Sequence, residues 1–314
     1  VGELAAEAPV TLLGTQKPTP DVGVALRDAG VQGPVALITA GWQERESEDA
    51  ELVAHLGVPA TNLKLHARSE EVFGKDIDLA AAHKARQSRL RLIQDFYRIR
   101  LDHAFEAAHA ISVRHVDPEI LAEERTESVL GLRQLDEDHI TRCRAIHTAF
   151  DAKWRPSERP VVAKHRKELR AIVEAASAVV VMGGHVVSLL NRMKLFDVVG
   201  LVHGQRWFAA AAGAMVLTDR IYLFHDFPPH GTGIAEILDS GFGLVRDLVV
   251  LPDPRHRICV EDGEGISRFV QRIAPATCVA MDPGARVFAE AGRIKRASCH
   301  RLSADGVVEV GWSG

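Results

Sequence analysis

Hydrophobic and polar positions fall into two regimes along the chain. Residues 10–14 and 35–40 are short, nearly unbroken apolar runs bounded by Gly or Pro, as buried strands are. Leu52, Val53 and Leu56 then recur at helical spacing until Gly57 and Pro59 stop them, and residues 62–66 alternate like a third strand. From about 76 to 150 the period changes. Leu90, Ile93, Tyr97, Leu101, Phe105 and Ala108 mark one face of a long helix, and Asp117-Pro118 opens a second, proline being suited to a first turn. Pro156 and Pro160 bracket a return linker, after which strands and helices alternate again. A helix at 161–176 leads into a strand at 178–182 and a short helix at 186–191. A strand passing directly into a helix follows at 205–217, then a strand at 221–225 and a helix at 234–238. A strand at 248–251, a helix at 265–273 and a strand at 277–281 complete the series. The tail, 285–290 and 306–312, reads as edge hairpins.

This order predicts an α/β fold with a mostly parallel sheet. Its first part lies in 1–75 and its second in 156–314, with a helical hairpin inserted at 76–155. Ligands of such sheets sit beyond the carboxyl ends of the strands, which singles out Gln43, Glu44 and Arg45 at one end; a helix-start loop explains the same residues equally well. The first hairpin helix carries Lys84, Arg86, Arg89, Arg91, Arg98 and Arg100. The second carries Glu119, Glu123, Glu124, Glu127, Asp136, Glu137 and Asp138. Opposite charge on consecutive helices suits antiparallel packing with charged rims; for the arginines a solvated or dimer-forming face is favoured over a phosphate or nucleic-acid contact.

Composition narrows the picture by exclusion. A chain of 314 residues with 46% hydrophobic and 25% charged residues has apolar surface enough for a large core. A net charge of −4 gives no global reason to expect nucleic acid or an anionic membrane as partner. Cys143, Cys259, Cys278 and Cys299 are far apart and show no metal-ligand spacing, so buried thiols in a reducing compartment are expected. The first seven residues lack a basic segment and an apolar core, which predicts no signal peptide. No apolar run reaches the roughly 18 residues of a membrane span. A cytoplasmic protein with no cofactor, no metal and self-association as a homo-oligomer is the expectation.

The chemistry concentrates at strand ends. Gly183-Gly184-His185 follows one strand, where paired glycines let a ligand approach backbone amides. Ala211-Ala212-Gly213-Ala214 forms the cramped passage from strand to helix, the layout of a nucleophile elbow, with Ala211 at the apex. His225, Asp226 and His230 lie in a Pro/Gly-rich loop, where they could converge on a substrate or, less readily, a metal, or simply bond locally within the loop. Pro252-Asp253-Pro254-Arg255-His256-Arg257 ends a later strand.

Gly-Gly, then a small-residue elbow, then a strand ending in Pro-x-x-x-x-Arg, resembles the peptidase E and cyanophycinase family over residues 35–65 and 178–287. The resemblance implies the class I glutamine amidotransferase-like (flavodoxin-like) fold and serine hydrolysis of aspartyl peptides. It puts the nucleophile at Ala211, the general base at Asp253 and the oxyanion hole at the amides of Gly184 and Ala212. The family's Ser-Ala-Gly-Ala is matched here at its last three positions only, and its base histidine is replaced by Asp253. Alanine offers no attacking oxygen, and an aspartate, with a reference pKa near 3.9, is poorly matched to base chemistry at neutral pH. The resemblance therefore implies a pseudoenzyme that keeps a pocket for a small acidic or amidated peptide-like ligand, lined by Gly184, His185, Ala211, Ala212, Asp226 and Asp253, or that serves in assembly. Two alternatives stay open: an active serine-type hydrolase seen as a Ser-to-Ala variant or using a histidine such as His225, His230 or His256, and a structural protein whose working surface is the hairpin.

Overall fold

The computed structural model describes residues 8–224, 234–259, 262–306 and 308–313. The chain opens with β1 (Val10–Leu13), α1 (Val22–Asp28), β2 (Val35–Ile38), α2 (Ala50–Leu56), β3 (Ala60–Asn62) and α3 (Leu65–Lys75). Two long helices follow, α4 (Ile77–Ser112) and α5 (Pro118–Trp154), and then α6 (Pro160–Glu174), β4 (Ala178–Val181) and α7 (Val186–Leu195). The remainder is β5 (Arg206–Ala210), α8 (Ala212–Leu217), β6 (Arg220–Leu223), β7 (Glu236–Ser240), β8 (Leu248–Pro252), α9 (Gly263–Ile273), β9 (Thr277–Met281), β10 (Arg286–Glu290), β11 (Arg293–Leu302) and β12 (Val308–Ser313).

The main sheet runs β3-β2-β4-β5-β1-β10-β11-β9-β8, with β12 added to β11, while β6 and β7 pair separately. β3, β2, β4, β5 and β1 are mutually parallel, as are β8 and β9; β10 and β11 enter antiparallel. Every residue of β2 and of β4 is buried, as expected of strands covered by helices on both faces. Trp207, Phe208, Leu12 and Leu13 fill the middle of the sheet.

Five sequence expectations need correction. The stretch 62–66 is not a strand: Lys64 takes a left-handed conformation and its N–H donates to Asn62 Oδ1 at 3.0 Å, which ends β3 and starts α3. The first amides of α3 are then met from a distance by the buried Glu46, whose two carboxylate oxygens each accept at 3.0 Å from His66 and Ala67 N–H. Residues 236–240 form β7 rather than a helix, paired antiparallel with β6 and fixed by Arg98, which grips the Glu236 carboxylate at 2.6 and 2.7 Å. The segment 286–290 is no edge hairpin, since β10 pairs β1 inside the sheet. A helix, α1, also intervenes between β1 and β2 where none was expected.

The hairpin is keyed to the rest by side chains. Asp76 caps α4 through Leu79 N–H and Asp117 caps α5 through Glu119 N–H. Tyr97, Leu101, Leu132 and Ile140 are buried in the seam between α4, α5 and the β6–β7 side of the body. Within that seam Arg272 of α9 donates to Asp136 at 2.8 and 2.6 Å, and Tyr97 and Tyr222 donate to the same carboxylate at 2.7 and 3.0 Å. The expected charged rims do not form: among the described residues no ion pair joins α4 to α5, and the charges instead reach outward, Arg98 to Glu236 and Glu137 to Arg220.

Candidate functional site

At the end of β5 the chain turns at Ala211 with φ 51° and ψ −118° before α8 begins. That region of backbone space costs a non-glycine residue roughly 1–3 kcal/mol and persists only where neighbours enforce it. Here they do. Ala211 N–H donates to Leu13 O at 3.2 Å, and Met215 N–H donates to Ala211 O at 3.1 Å. Small residues are required on every side. A Cβ on Gly213 would lie 2.4 Å from Val181 O, and one on Gly183 would lie 3.0 Å from Ala211 Cβ and 3.3 Å from Ala212 N. Ala212 is the first residue of α8, so its amide is among those with no acceptor inside the helix.

The neighbouring turn, at the end of β4, is equally constrained. Gly184 has φ +124°, and a Cβ there would lie 2.5 Å from the Gly41 carbonyl. Met182 N–H donates to Ile38 O at 2.9 Å and His185 N–H to Gly41 O at 2.7 Å; the Gly184 amide makes no such bond among the described residues. One strand further, past the end of β2, Gln43 adopts φ 58° and ψ −124°, nearly the conformation of Ala211. Three adjacent strands, β2, β4 and β5, thus each lead into a residue at positive φ.

Gln43 is also wired to the middle turn. Its Nε2 donates to Ser188 Oγ at 2.8 Å, Ser188 Oγ lies 3.1 Å from His185 Nδ1, and Ser188 N–H donates to that nitrogen at 3.2 Å. With Nδ1 accepting, the neutral ring carries its hydrogen on Nε2. His185 therefore both caps α7 and offers an N–H to solvent at the mouth of the turn, where it is exposed. A Ser three residues after a strand-end His is the sequence signal that finds this relay; the strand-end position singled out Gln43, but its bond to Ser188, 145 residues on, leaves no local pattern.

The remaining candidates are spread out. Arg45 is exposed and engaged with Glu48 at 2.6 Å, which raises its pKa by hydrogen bonding and charge, and among the described residues no hydrogen bond or ion pair links it to the elbow. His225, Asp226 and His230 lie outside the described residues. Asp253 follows β8 in a left-handed conformation, and its carboxylate meets His256 Nδ1 at 2.8 Å. Between β5 and β8 in the sheet stand β1, β10, β11 and β9, and the chain just past β1 meets the end of β9 where Thr15 N–H donates to Met281 O at 3.4 Å. Among the described residues no hydrogen bond joins the Asp253–His256 pair to Ala211. Among the described residues no group of three His, Cys, Asp or Glu side chains could hold a metal ion, and no helix is long and apolar enough to cross a membrane.

Two features escaped the sequence. A cavity of about 470 Å³ opens away from the elbow, between Phe105, Phe224, Ile266 and Phe269. And α7, which starts at the Gly183-Gly184-His185 turn, is braced from behind: Arg86 and Gln87 of the hairpin donate to Asn191 Oδ1 at 3.2 and 2.8 Å, and Lys194 approaches Asp239 of β7 at 3.7 Å. Asp239 also meets His147 Nε2 at 2.7 Å; burial alone would raise its pKa, but that bond and the Lys194 charge hold it below the usual carboxylate value.

No family model and no curated protein matches the chain. Among solved structures it is similar to a peptidase from an acI-B1 Actinobacterium, at 12% identity and a TM-score of 0.44 over 98% of this chain and 95% of that one. It is similar also to a putative peptidase E protein from Listeria monocytogenes EGD-e, at 12% identity and a TM-score of 0.41 over 95% of this chain and 100% of that one. Likeness this distant carries no argument about activity or about any residue.

Proposed function

We propose that the chain is a non-hydrolytic binder of small acidic or amidated peptide-like ligands, built on an elbow scaffold whose nucleophile position holds alanine. The observation that carries this reading is Ala211 at φ 51° and ψ −118°. The turn keeps the strain of an elbow, and its apex carries only a methyl group. Amides of Gly184 and Ala212 would receive a carboxylate or amide oxygen, His185 Nε2–H would add a donor at the mouth, and Gln43 would hold that ring in place through Ser188. Donors without an attacking group bind and do not cleave.

The Asp253–His256 pair favours a second reading. An imidazole already oriented by a carboxylate is half of the machinery a serine enzyme needs, and Ala211 would then stand in for a serine. One experiment separates the two: thermal shift with acidic dipeptides, together with dipeptide hydrolysis, on this chain and on Ala211→Ser. The binder reading expects both proteins to be inert and both to be stabilised by ligand, by about 2.7 kcal/mol at a hundredfold excess over Kd. Turnover gained by Ala211→Ser selects the serine-enzyme reading. No shift at millimolar dipeptide overturns pocket binding.

A further inference from the structure

Eight of the nine large hydrophobic side chains found exposed among the described residues lie between 77 and 130, on the hairpin. Three of them, Leu92, Phe96 and Ile99, are 54, 51 and 55% exposed on α4. They sit within a longer row of exposed positions, Ala85, Ser88, Leu92, Phe96, Ile99, His103, Ala107 and Ala110. That row repeats every 11 residues (85 to 96, 88 to 99, 92 to 103), so it follows one face of a nearly straight helix without drifting round it. The buried residues of α4, His83, Ile93, Gln94, Tyr97, Leu101 and Ala108, occupy the opposite side, so the row is turned away from both α5 and the sheet. An apolar face of this length on the outside of a helix that is already packed on its other side calls for a partner.

The charges beside the row say which partner. At 100° per residue, Arg89 and Arg100 fall along one edge and Asp95, Asp102 and Glu106 along the other, with Lys84 beside the acids at that edge's N-terminal end. Such a surface complements a copy of itself in one orientation. A two-fold axis running along the helices brings unlike edges together, Arg89 beside Asp95 of the second copy and Arg100 beside Glu106 of the second copy. An axis across the helices would set like edges against each other. We propose that α4 is a self-association surface, on which two copies pair with their α4 helices parallel and in register, so that Leu92, Phe96 and Ile99 of one meet the same residues of the other. This inference is independent of any ligand at the elbow.

The size of the surface sets the strength. Residues 85 to 110 span about 38 Å of helix, and a strip about 10 Å wide along it buries on the order of 800 Å² in both copies together, at the low end for specific complexes. The dimer is therefore concentration-dependent.

Sedimentation velocity on the full chain, from low to high micromolar concentration, is the test. The mass should rise from one chain to two. Phe96→Glu combined with Ile99→Glu should weaken the dimer by about a hundredfold or more, with an unchanged thermal melt because both side chains are exposed. Arg100→Glu should weaken it, and adding Glu106→Arg should restore it. Ile99→Cys should form an interchain disulfide on oxidation where the parent chain does not. A single chain at every concentration would overturn the proposal, whether the row is solvated or taken up by a different protein. So would a dimer that ignores the Phe96 and Ile99 changes.

Discussion

The elbow and the hairpin seam solve the same problem, holding polar groups in a fixed place inside a folded chain, by opposite means. At the elbow the work is done by backbone and by the absence of side chains: Gly41, Gly183, Gly184, Ala211 and Gly213 stand so close that an added carbon on any of the four glycines would meet a neighbour at 3.0 Å or less. In the seam it is done by large polar side chains, Arg272, Asp136, Tyr97 and Tyr222, which satisfy one another where water is excluded. The first arrangement is fixed by sterics and leaves its amides available to a ligand. The second spends its donors and acceptors on itself. That difference is why a binding site is proposed at the elbow and none in the seam, although the seam is richer in ionisable groups.

The comparison breaks most visibly if one member of the seam is removed. Arg272 and Asp136 are each 2% exposed, so Arg272→Met leaves a buried carboxylate facing two phenols and no cation. The expected cost is about 3–5 kcal/mol in urea denaturation, because an uncompensated charge remains. Adding Asp136→Leu removes that charge and should recover much of the loss. A double variant as unstable as the single one would show that packing, not charge, holds the seam.

A smaller effect separates the regions by pH. His83, on the hairpin side of the interface with α7, is pushed down to about 3 by burial and then by the charges of Arg86, Arg192 and His147. Unfolded, it titrates near 6.5. Between those values the unfolded chain binds a proton that the folded chain refuses. Stability is therefore intact above about pH 6.5 and falls as the pH drops towards 3, by up to about 1.4 kcal/mol per unit. His83→Leu should flatten the stability curve between pH 6 and 4. A curve as steep as the parent's would mean that His139 and His165, also lowered chiefly by burial, carry the acid sensitivity.

How much of this was legible in the sequence follows from the same contrast. The elbow could be read because its logic is local: a strand, a run of alanine and glycine, a helix. The two long helices could be read because their apolar period is long and regular. Strand β7 was missed because its character comes from Arg98, well over a hundred residues away, and α3 was missed because the carboxylate that meets its first amides, Glu46, lies about twenty residues upstream. The relation between Asp253 and Ala211 was not legible either, since four strands, β1, β10, β11 and β9, stand between β5 and β8 in the sheet, three of them from the last forty residues of the chain.

The smallest predicted effect tests the premise of the site itself. If the surrounding contacts force Ala211 to positive φ, its own methyl group is what makes that conformation costly, and glycine pays no such penalty. Against this stands the extra entropy glycine has in the unfolded chain, worth about 0.4–1 kcal/mol. Relief of roughly 1–3 kcal/mol of backbone strain should exceed it, so Ala211→Gly should stabilise the protein by about 1 kcal/mol in urea denaturation. Ala214→Gly, inside α8 and buried, should destabilise by at least as much, because there glycine loses both the methyl packing and helix propensity. Opposite signs from two alanines three residues apart would locate strain at the apex and nowhere else in the turn. Equal signs would mean that Ala211 rests in an ordinary turn, and the elbow would then lose its claim to be a site held under strain.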